Sequence, residues 1–316
     1  MGFKNTESVL VVVLAETRES DLTYTLFEKN LLKQLGADLA LCVANNERED
    51  RKNPFYQKAK FVWTYDEPED WGDAFDAFQQ RMGFDADWRQ LLNVREQWLG
   101  GVRGPKEQLG SAGILLFFRL FLKDCLLKSG VLDQYDRFII TRSDFMHRVP
   151  HVPLKLLDRD SIWIPDGEQY GGFTDRHIVL SGNHVVDAVS ISDPIIEDPG
   201  ALHDSMRAFD QWNLEKFIWF RFKQLELLPK VKLFPYTMYA VRGLNGHTRW
   251  SEGKYDPELG YYIKYEWEYR GYRYAKRALI LARGWSRIRI RIFNWLRSRK
   301  KRYVAREDVR FHQFVQ

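Results

Sequence analysis

Residues 8–15 form an uninterrupted apolar run, Ser-Val-Leu-Val-Val-Val-Leu-Ala, that is rich in valine. An apolar run without polar alternation predicts a strand that is buried on both faces, as in a parallel sheet. Helical spacing then covers residues 22–35 and ends at Gly36, before a second strand at 37–44 and a short third strand at 61–64. Strand, helix and strand in this order predict a βαβ unit.

The rest of the chain continues this alternation. Helices are predicted at 111–128 and 212–227, with strands at 135–141 and 161–165 and one strand or a pair at 231–241. The polar segment at 67–110 has no clear pattern. The sequence therefore predicts an open mixed α/β sheet flanked by helices. Ligands of such sheets bind outside the carboxyl ends of the strands, where the polar segments after residues 15, 141 and 165 are expected.

Composition excludes several other classes of protein. Of the 316 residues, 45% are apolar and 15% are aromatic, which supports a sizeable core and argues against disorder. The two cysteines, Cys42 and Cys125, are too few for a disulfide scaffold and are predicted to be buried free thiols. A reducing compartment fits and no secretory signal is visible, so we expect a cytoplasmic protein, free or peripheral on the cytoplasmic face of a membrane.

Positive charge is concentrated near the end of the chain. Thirteen Lys or Arg and no Asp or Glu lie between residues 270 and 302, and without them the formal net charge of +5 becomes negative. The sequence is therefore divided into a main domain at 1–265 and a basic amphipathic tail at 266–316. A helical stripe in the tail predicts either contact with an anionic membrane surface or docking on the domain, and it consists of Tyr274, Ala278, Leu281, Trp285, Ile288, Ile292 and Trp295. Alternation at 287–292 leaves a strand open as an alternative.

Three polar motifs contain the candidate functional residues. Phe-Ile-Ile-Thr-Arg-Ser-Asp at 138–144 ends a predicted strand in Asp144, an oxygen ligand suited to a divalent cation that bridges a diphosphate, although an Asp after a strand is also an ordinary turn residue. Residues 166–177, Asp-Gly-Glu-Gln-Tyr-Gly-Gly-Phe-Thr-Asp-Arg-His, are typical of a ligand-binding loop or of a salt-bridged structural loop. Residues 241–250 supply His247 and two arginines suited to phosphate, Arg242 and Arg249.

The order of the first two motifs resembles that of a family of GT-A-like glycosyltransferases. The matching strings are Thr-Arg-Ser-Asp and Trp-Ile-Pro-Asp-Gly-Glu-Gln-Tyr-Gly-Gly-Phe-Thr-Asp-Arg-His, and the resemblance covers roughly residues 9–250. Members of this family occur among bacterial polysaccharide enzymes, plants and large algal viruses. The resemblance implies a Rossmann-type GT-A domain, a UDP- or GDP-linked sugar as donor, and a glycan or lipid-linked glycan as acceptor in cell-surface polysaccharide or glycolipid synthesis.

The resemblance also implies roles for individual residues. Asp144 and His247 match metal-binding positions for Mn²⁺ or Mg²⁺, although Arg142 replaces the first Asp of the usual Asp-x-Asp signature. The implied donor-binding residues are Thr17, Arg18, Asp66, Arg142, Arg242 and Arg249. The implied acceptor- or sugar-binding residues are Glu168, Tyr170, Gly171, Gly172, Arg176 and His177.

An inverting enzyme of this kind needs a base for the acceptor hydroxyl. Asp175, after the glycine pair, is the first candidate, and Glu215, at the head of a predicted helix, is the second. A retaining enzyme needs no such base, and the sequence leaves both outcomes open. On this interpretation Asp144→Ala abolishes transfer and leaves the fold intact.

Two other classes of function are open. A non-catalytic nucleotide- or carbohydrate-binding module would bind its ligand without turnover. A nucleic-acid-binding protein is suggested by the basic tail and the aromatic content. The acidic remainder of the chain and the lack of a recognised motif argue against nucleic acid as a partner.

Overall fold

The computed structural model describes residues 7–47, 50–95, 98–104, 110–167, 169–209, 211–246 and 251–282. The strands in these ranges are β1 (Val9–Ala15), β2 (Asp38–Asn45), β3 (Phe61–Asp66), β4 (Arg137–Thr141), β5 (Phe145–Met146), β6 (Ile162–Asp166), β7 (Ile178–Ser181), β8 (Val231–Pro235), β9 (Tyr239–Arg242), β10 (Lys254–Asp256) and β11 (Tyr261–Ile263). The helices are α1 (Ser20–Phe27), α2 (Lys33–Leu35), α3 (Pro54–Lys58), α4 (Trp71–Met82), α5 (Ala112–Lys128), α6 (Gly182–Val189), α7 (Pro194–Glu197), α8 (Pro199–Met206), α9 (Leu214–Gln224) and α10 (Glu266–Ala282). A π-helical segment, Glu28–Leu32, joins α1 to α2.

Seven strands form the main sheet in the order β3-β2-β1-β4-β7-β6-β8. Strands β1 to β4 are parallel, and β6 and β8 pair in parallel, while β7 runs antiparallel to both of its neighbours. The carboxyl ends of β1, β2, β3 and β4 therefore lie along one edge of the sheet. The prediction of an open mixed sheet flanked by helices is confirmed.

Strand β1 separates two cores. Its alternate residues Leu10, Val12 and Leu14 pack in the larger core with side chains of α4, α5 and α9. Residues Val9, Val11 and Val13 face the opposite core, which contains side chains of α1, α2 and α3. Because both faces are covered, every residue of Val9 to Val13 is nearly fully buried, as the continuous apolar run predicts.

A second, antiparallel sheet has the order β10-β11-β9-β5. Strand β5 begins directly after Asp144, and it pairs with β9, which ends at Arg242. Strand β11 pairs with the other side of β9 and leads through Lys264 into α10. This small sheet therefore brings residues from three distant parts of the chain to the edge of the main sheet.

The structure corrects several details of the predicted elements. The unassigned segment at 67–110 contains α4 and a 3₁₀ helix, Trp88–Asn93. The segment at 231–241 is a pair of strands, and the two belong to different sheets. Both cysteines are free, but only Cys42 is buried, while Cys125 is half-buried.

Helix α10 is the part of the basic tail that the structure describes. Its buried side chains are Glu268, Tyr272 and Ala275, whereas Tyr274 is exposed. Tyr274, a member of the predicted apolar stripe, therefore lies on the face of the helix that is turned away from the core, and the choice between membrane contact and docking stays a prediction. The tail beyond residue 282 lies outside the described residues, and the division at 265/266 stays a prediction. Within the described ranges, no helix combines the length and apolar character needed to cross a membrane.

Candidate active site

A cleft of about 430 Å³ lies at the carboxyl ends of the first four strands. Ala15 contributes from β1, Ala44 from the end of β2, Glu67 from the position after β3, and Asp144 from the position before β5. This is the expected place for a ligand on an open α/β sheet. Six further candidate residues also line the cleft, and they are Arg18, Arg142, Tyr170, Asp175, Arg176 and Glu215.

The backbone is strained around the cleft. Ala15 and Tyr170 line it with φ angles of 75° and 45°, and Glu19, just after the β1 loop, has a φ of 58°. Such left-handed conformations cost a non-glycine residue about 1–2 kcal/mol each. Positions of this kind persist where the surrounding structure fixes them, and they concentrate at functional sites.

Asp144 is the centre of a group of cations at one end of the cleft. Its Oδ1 accepts a hydrogen bond from Arg142 Nε at 3.2 Å, and its Oδ2 accepts one from Arg142 Nη2 at 3.0 Å. Arg242 Nη1 also donates to Oδ2, and Arg242 is itself fully buried. Burial alone would raise the pKa of Asp144, but Arg142 and Arg242 hold that pKa well below its usual range. The carboxylate is therefore charged, and both of its oxygens accept hydrogen bonds from guanidinium groups.

Two further basic side chains lie beside this pair. Arg18 follows β1, forms an ion pair with Glu16, and lines the cleft. Its loop is held in place because Ser143 Oγ donates to the Glu16 and Arg18 carbonyl oxygens at 3.1 and 3.0 Å. Lys264 follows β11 and also lines the cleft. Burial and the nearby Arg242 and Arg142 guanidinium groups lower the pKa of Lys264 to about 6.

The other half of the cleft is built around Arg176. Its guanidinium lies 3.9 Å from Asp175, 3.6 Å from Glu215 and 3.2 Å from the buried Glu268 of α10. It also stacks on the Tyr265 ring, with Cζ 3.9 Å from the ring centroid. Burial disfavours the cation, but its anionic neighbours, Glu268 and Asp175 among them, keep the pKa of Arg176 well above its ordinary value. Both candidate bases therefore lie at one wall of the cleft and share one cation.

The glycine pair fixes the geometry of this wall. A Cβ on Gly172 would lie 1.8 Å from the Glu215 carbonyl oxygen, so only glycine allows this contact. The neighbouring Phe173 N–H donates to the same oxygen at 3.0 Å. Gly171 has a φ of +84°, which favours glycine. The two glycines, predicted to bind sugar, act here by bringing the loop against the head of α9.

Besides the two glycines, four described residues that were predicted as ligands do not line the cleft. Thr17 is buried, where its Oγ1 accepts a hydrogen bond from Asn53 Nδ2 at 3.0 Å. Asp66 ends the edge strand β3 and is exposed, while the next residue, Glu67, lines the cleft. His177 is buried in the core with its Nδ1 2.9 Å from Thr141 Oγ1. Arg242 lies behind Asp144, so it supports the site without lining the cleft.

Other site residues lie outside the described residues or were missed by sequence reasoning. Glu168, His247 and Arg249 are outside the described ranges, and their roles stay predictions. Sequence reasoning missed Lys264 and Tyr265, which line the cleft between β11 and α10. Their only signal is a lysine among aromatic residues after a short apolar strand, and that pattern is common.

The described residues do not fit a divalent cation at Asp144. The carboxylate is 1% exposed, and both of its oxygens already accept hydrogen bonds from guanidinium groups. No group of three or more His, Cys, Asp or Glu suited to a metal occurs within the ranges that the structure describes. The predicted Mn²⁺ or Mg²⁺ stays a prediction.

Comparisons with known proteins give a distant likeness. No family model matches the chain, and no curated protein matches it. Among solved structures, the chain is similar to mouse xyloside xylosyltransferase 1 in its apo form, with 11% sequence identity and a TM-score of 0.41. The match covers 72% of this chain and 85% of that chain. At this distance the likeness shows neither a substrate nor an activity for this chain.

Proposed function

We propose that this chain is a glycosyltransferase that moves a sugar from a UDP- or GDP-linked donor to a hydroxyl of a glycan or lipid-linked glycan. The observation that carries the proposal is that two adjoining groups of charged side chains line the cleft, a cationic half and an acidic half. Arg18, Arg142 and Lys264 make up the first, and the carboxylates Asp175 and Glu215 make up the second. Such a site can hold an anionic leaving group and an acceptor at the same time.

The cationic half suits the diphosphate of the donor. When the bond between the sugar and the diphosphate breaks, negative charge develops on the leaving oxygen. Guanidinium groups bind phosphate oxygens through charge-assisted hydrogen bonds, and here they are already fixed by Asp144 and Glu16. Fixed cations stabilise developing charge without reorganising during the reaction.

The acidic half suits the acceptor hydroxyl. Transfer passes through an oxocarbenium-like centre, and inversion requires a base that removes the acceptor proton. Asp175 and Glu215 both line the cleft within 4 Å of Arg176. Asp175 is the preferred base because it directly follows the loop that the glycine pair holds in place.

The primary test is a screen for the release of UDP or GDP from a panel of nucleotide sugars, with and without glycan acceptors. Acceptor-dependent release of one nucleoside diphosphate supports the proposal. Binding of nucleotide sugars without release under any condition favours the binding module instead.

Asp175→Asn is expected to lower kcat by about a hundredfold or more, with the donor Kd nearly unchanged, because the amide cannot accept the acceptor proton. Kinetics and donor titrations measure the two quantities separately. The matched control is Asp160→Asn, which changes an exposed carboxylate that precedes β6 in the chain. Normal turnover in Asp175→Asn together with loss in Glu215→Gln would move the role of base to Glu215.

The basic tail is proposed to bring the enzyme to an anionic membrane surface on the cytoplasmic side, where a lipid-linked acceptor would lie. The outer face of α10 carries Trp267 and Tyr274, which are 63% and 58% exposed, with Arg270 and Arg277 on the same stripe. Aromatic residues beside arginines are typical of interfacial helices. Each cation near an anionic leaflet adds about 1 kcal/mol of binding.

Replacing Trp267 by Ala together with Arg270 and Arg277 by Gln is expected to weaken co-sedimentation with phosphatidylserine vesicles at low salt. The intact protein should pellet at low salt and be released at high salt. The matched control is Arg81→Gln with Lys128→Gln, which removes two charges from α4 and α5 in the opposite layer. An intact protein that stays in the supernatant at low salt, or a triple variant that pellets equally well, contradicts the membrane proposal.

A further inference from the structure

We infer that Arg18, Arg142 and Lys264 bind the donor diphosphate directly, in the place where a divalent cation is expected, and that Asp144 is the counter-ion of these cations and not a metal ligand. The inference rests on the proposed function, because it assigns the diphosphate of the same donor to the cationic half of the cleft.

Asp144 is already fully paired with guanidinium groups. Its side chain is almost fully buried, and Arg142 binds it in a bidentate geometry. Arg242 approaches the second oxygen from the opposite strand, β9. A metal ion at this carboxylate would have to displace a guanidinium and then lie among like charges. The contacts that Asp144 makes are those of a counter-ion.

Three basic side chains line the cleft beside Asp144. Arg18, Arg142 and Lys264 are each partly buried. The carboxylates near them are Glu16, which pairs with Arg18, Glu19, which accepts from the Gly243 N–H, Asp144, and Asp175, whose charge also acts on Arg142. An anion in the cleft can therefore approach all three basic side chains.

The electrostatics of Lys264 also favour an anion in this part of the cleft. Burial and the guanidinium groups of Arg242 and Arg142 disfavour the charged form of Lys264, which is why its pKa falls. A doubly charged diphosphate between these groups relieves the repulsion and favours the ammonium form. The charged Lys264 then binds phosphate oxygen through a charge-assisted hydrogen bond.

The proposed sugar transfer needs no reactant beyond the donor and the acceptor. The acceptor oxygen forms a bond to the anomeric carbon as the bond from that carbon to the diphosphate oxygen breaks. The bonding electron pair stays on the diphosphate, and its charge is neutralised by Arg18, Arg142 and Lys264. The acceptor proton passes to the carboxylate of the base, Asp175 in the preferred assignment.

The test measures UDP and GDP binding to the full chain by calorimetry, in excess chelator and in excess Mn²⁺. We expect the Kd of the bound nucleotide to change by less than about threefold between the two conditions. We expect Lys264→Met to weaken binding by about tenfold or more, as the loss of one charge-assisted contact predicts, and Lys264→Arg to retain most of it. Lys33→Met, an exposed lysine after the π-helical segment, is the matched control. Binding of the nucleoside alone should not change in Lys264→Met, because Lys264 is inferred to contact the diphosphate and not the nucleoside.

The outcomes separate the two proposals. Binding that disappears in chelator and returns with Mn²⁺ overturns this inference and leaves the glycosyltransferase proposal intact. Chelator-resistant binding that is equal in wild type and in a folded Lys264→Met variant also overturns it. A chain that binds neither nucleotide in either condition overturns both. Chelator-resistant binding that depends on the charge at position 264 supports the inference.

Discussion

Asp144→Asn is expected to lower the free energy of unfolding by about 3–5 kcal/mol, because it leaves the fully buried Arg242 and the partly buried Arg142 without their counter-charge. Arg242 is fully buried, and its Nε and Nη2 have no hydrogen-bond partner within the part of the chain that the structure describes. When the carboxylate is lost, the buried Arg242 therefore has no solvent to stabilise its charge. Urea denaturation followed by circular dichroism measures the change.

A matched control is Asp204→Asn, which removes one partner of the solvent-exposed ion pair with Arg207. Surface pairs contribute about 0–1 kcal/mol, so this variant should unfold almost like wild type. Equal stabilities of the two variants would contradict the role of Asp144 as a counter-ion. The sequence alone predicts that substitution of Asp144 spares the fold, and the structure reverses this expectation because the carboxylate lies under two arginines.

The main sheet could be predicted from the sequence because its strands carry strong local signals. The valine-rich run of β1 and the Gly36 stop after α2 are properties of short segments, and each appears where it is expected. Strand β7 has no such signal, because it spans only four residues directly before α6. Its reversed direction depends on pairing with β4 and β6, which no local pattern encodes.

The site could be predicted only as far as the ends of the strands. Arg18, Arg142 and Asp144 lie next to strands in the chain, and the topology alone brings them to one edge. The contact of Asp144 with Arg242 depends on the pairing of β5 with β9, across 98 residues. Lys264 depends on a further pairing, of β11 with β9. The sequence therefore predicts a metal at Asp144, because no local pattern shows that Arg242 binds the carboxylate instead.

The residue His177 belongs to a buried cluster that the proposed reaction does not use. His147, His151 and His177 are all fully buried. The His151 Nδ1–H must donate to the Val152 carbonyl at 2.8 Å, so His151 Nε2 accepts from His177 Nε2–H at 3.2 Å, and His177 Nδ1 accepts from Thr141 Oγ1. This chain of hydrogen bonds holds only while both rings are neutral. A proton added to His151 Nε2 would face the proton on His177.

The depressed pKa values of this cluster predict marked sensitivity to acid. Burial is the main cause, and it lowers the pKa of His147 to about 3 and that of His151 to about 4, while the pKa of His177 also falls well below its usual value. In the unfolded chain each histidine takes up a proton near pH 6.5. Stability is therefore complete above about pH 6.5 and falls as the pH decreases toward the folded-state values. At pH 5, His147 and His151 each lower the free energy of unfolding by about 2 kcal/mol, or by about 4 kcal/mol together.

His147→Leu isolates one part of this effect. Neither ring nitrogen of His147 has a hydrogen-bond partner among the described residues, and the ring packs edge-on against Phe27, so an apolar side chain of similar volume should be accepted. The variant should match or exceed wild-type stability at pH 7.5, and its loss of unfolding free energy between pH 7.5 and pH 5 should be smaller by about 2 kcal/mol. Urea unfolding at the two pH values measures this difference, with His203→Gln on α8 as the control. If His147→Leu and wild type lose the same unfolding free energy between pH 7.5 and pH 5, the pKa of His147 is not lowered in the folded protein.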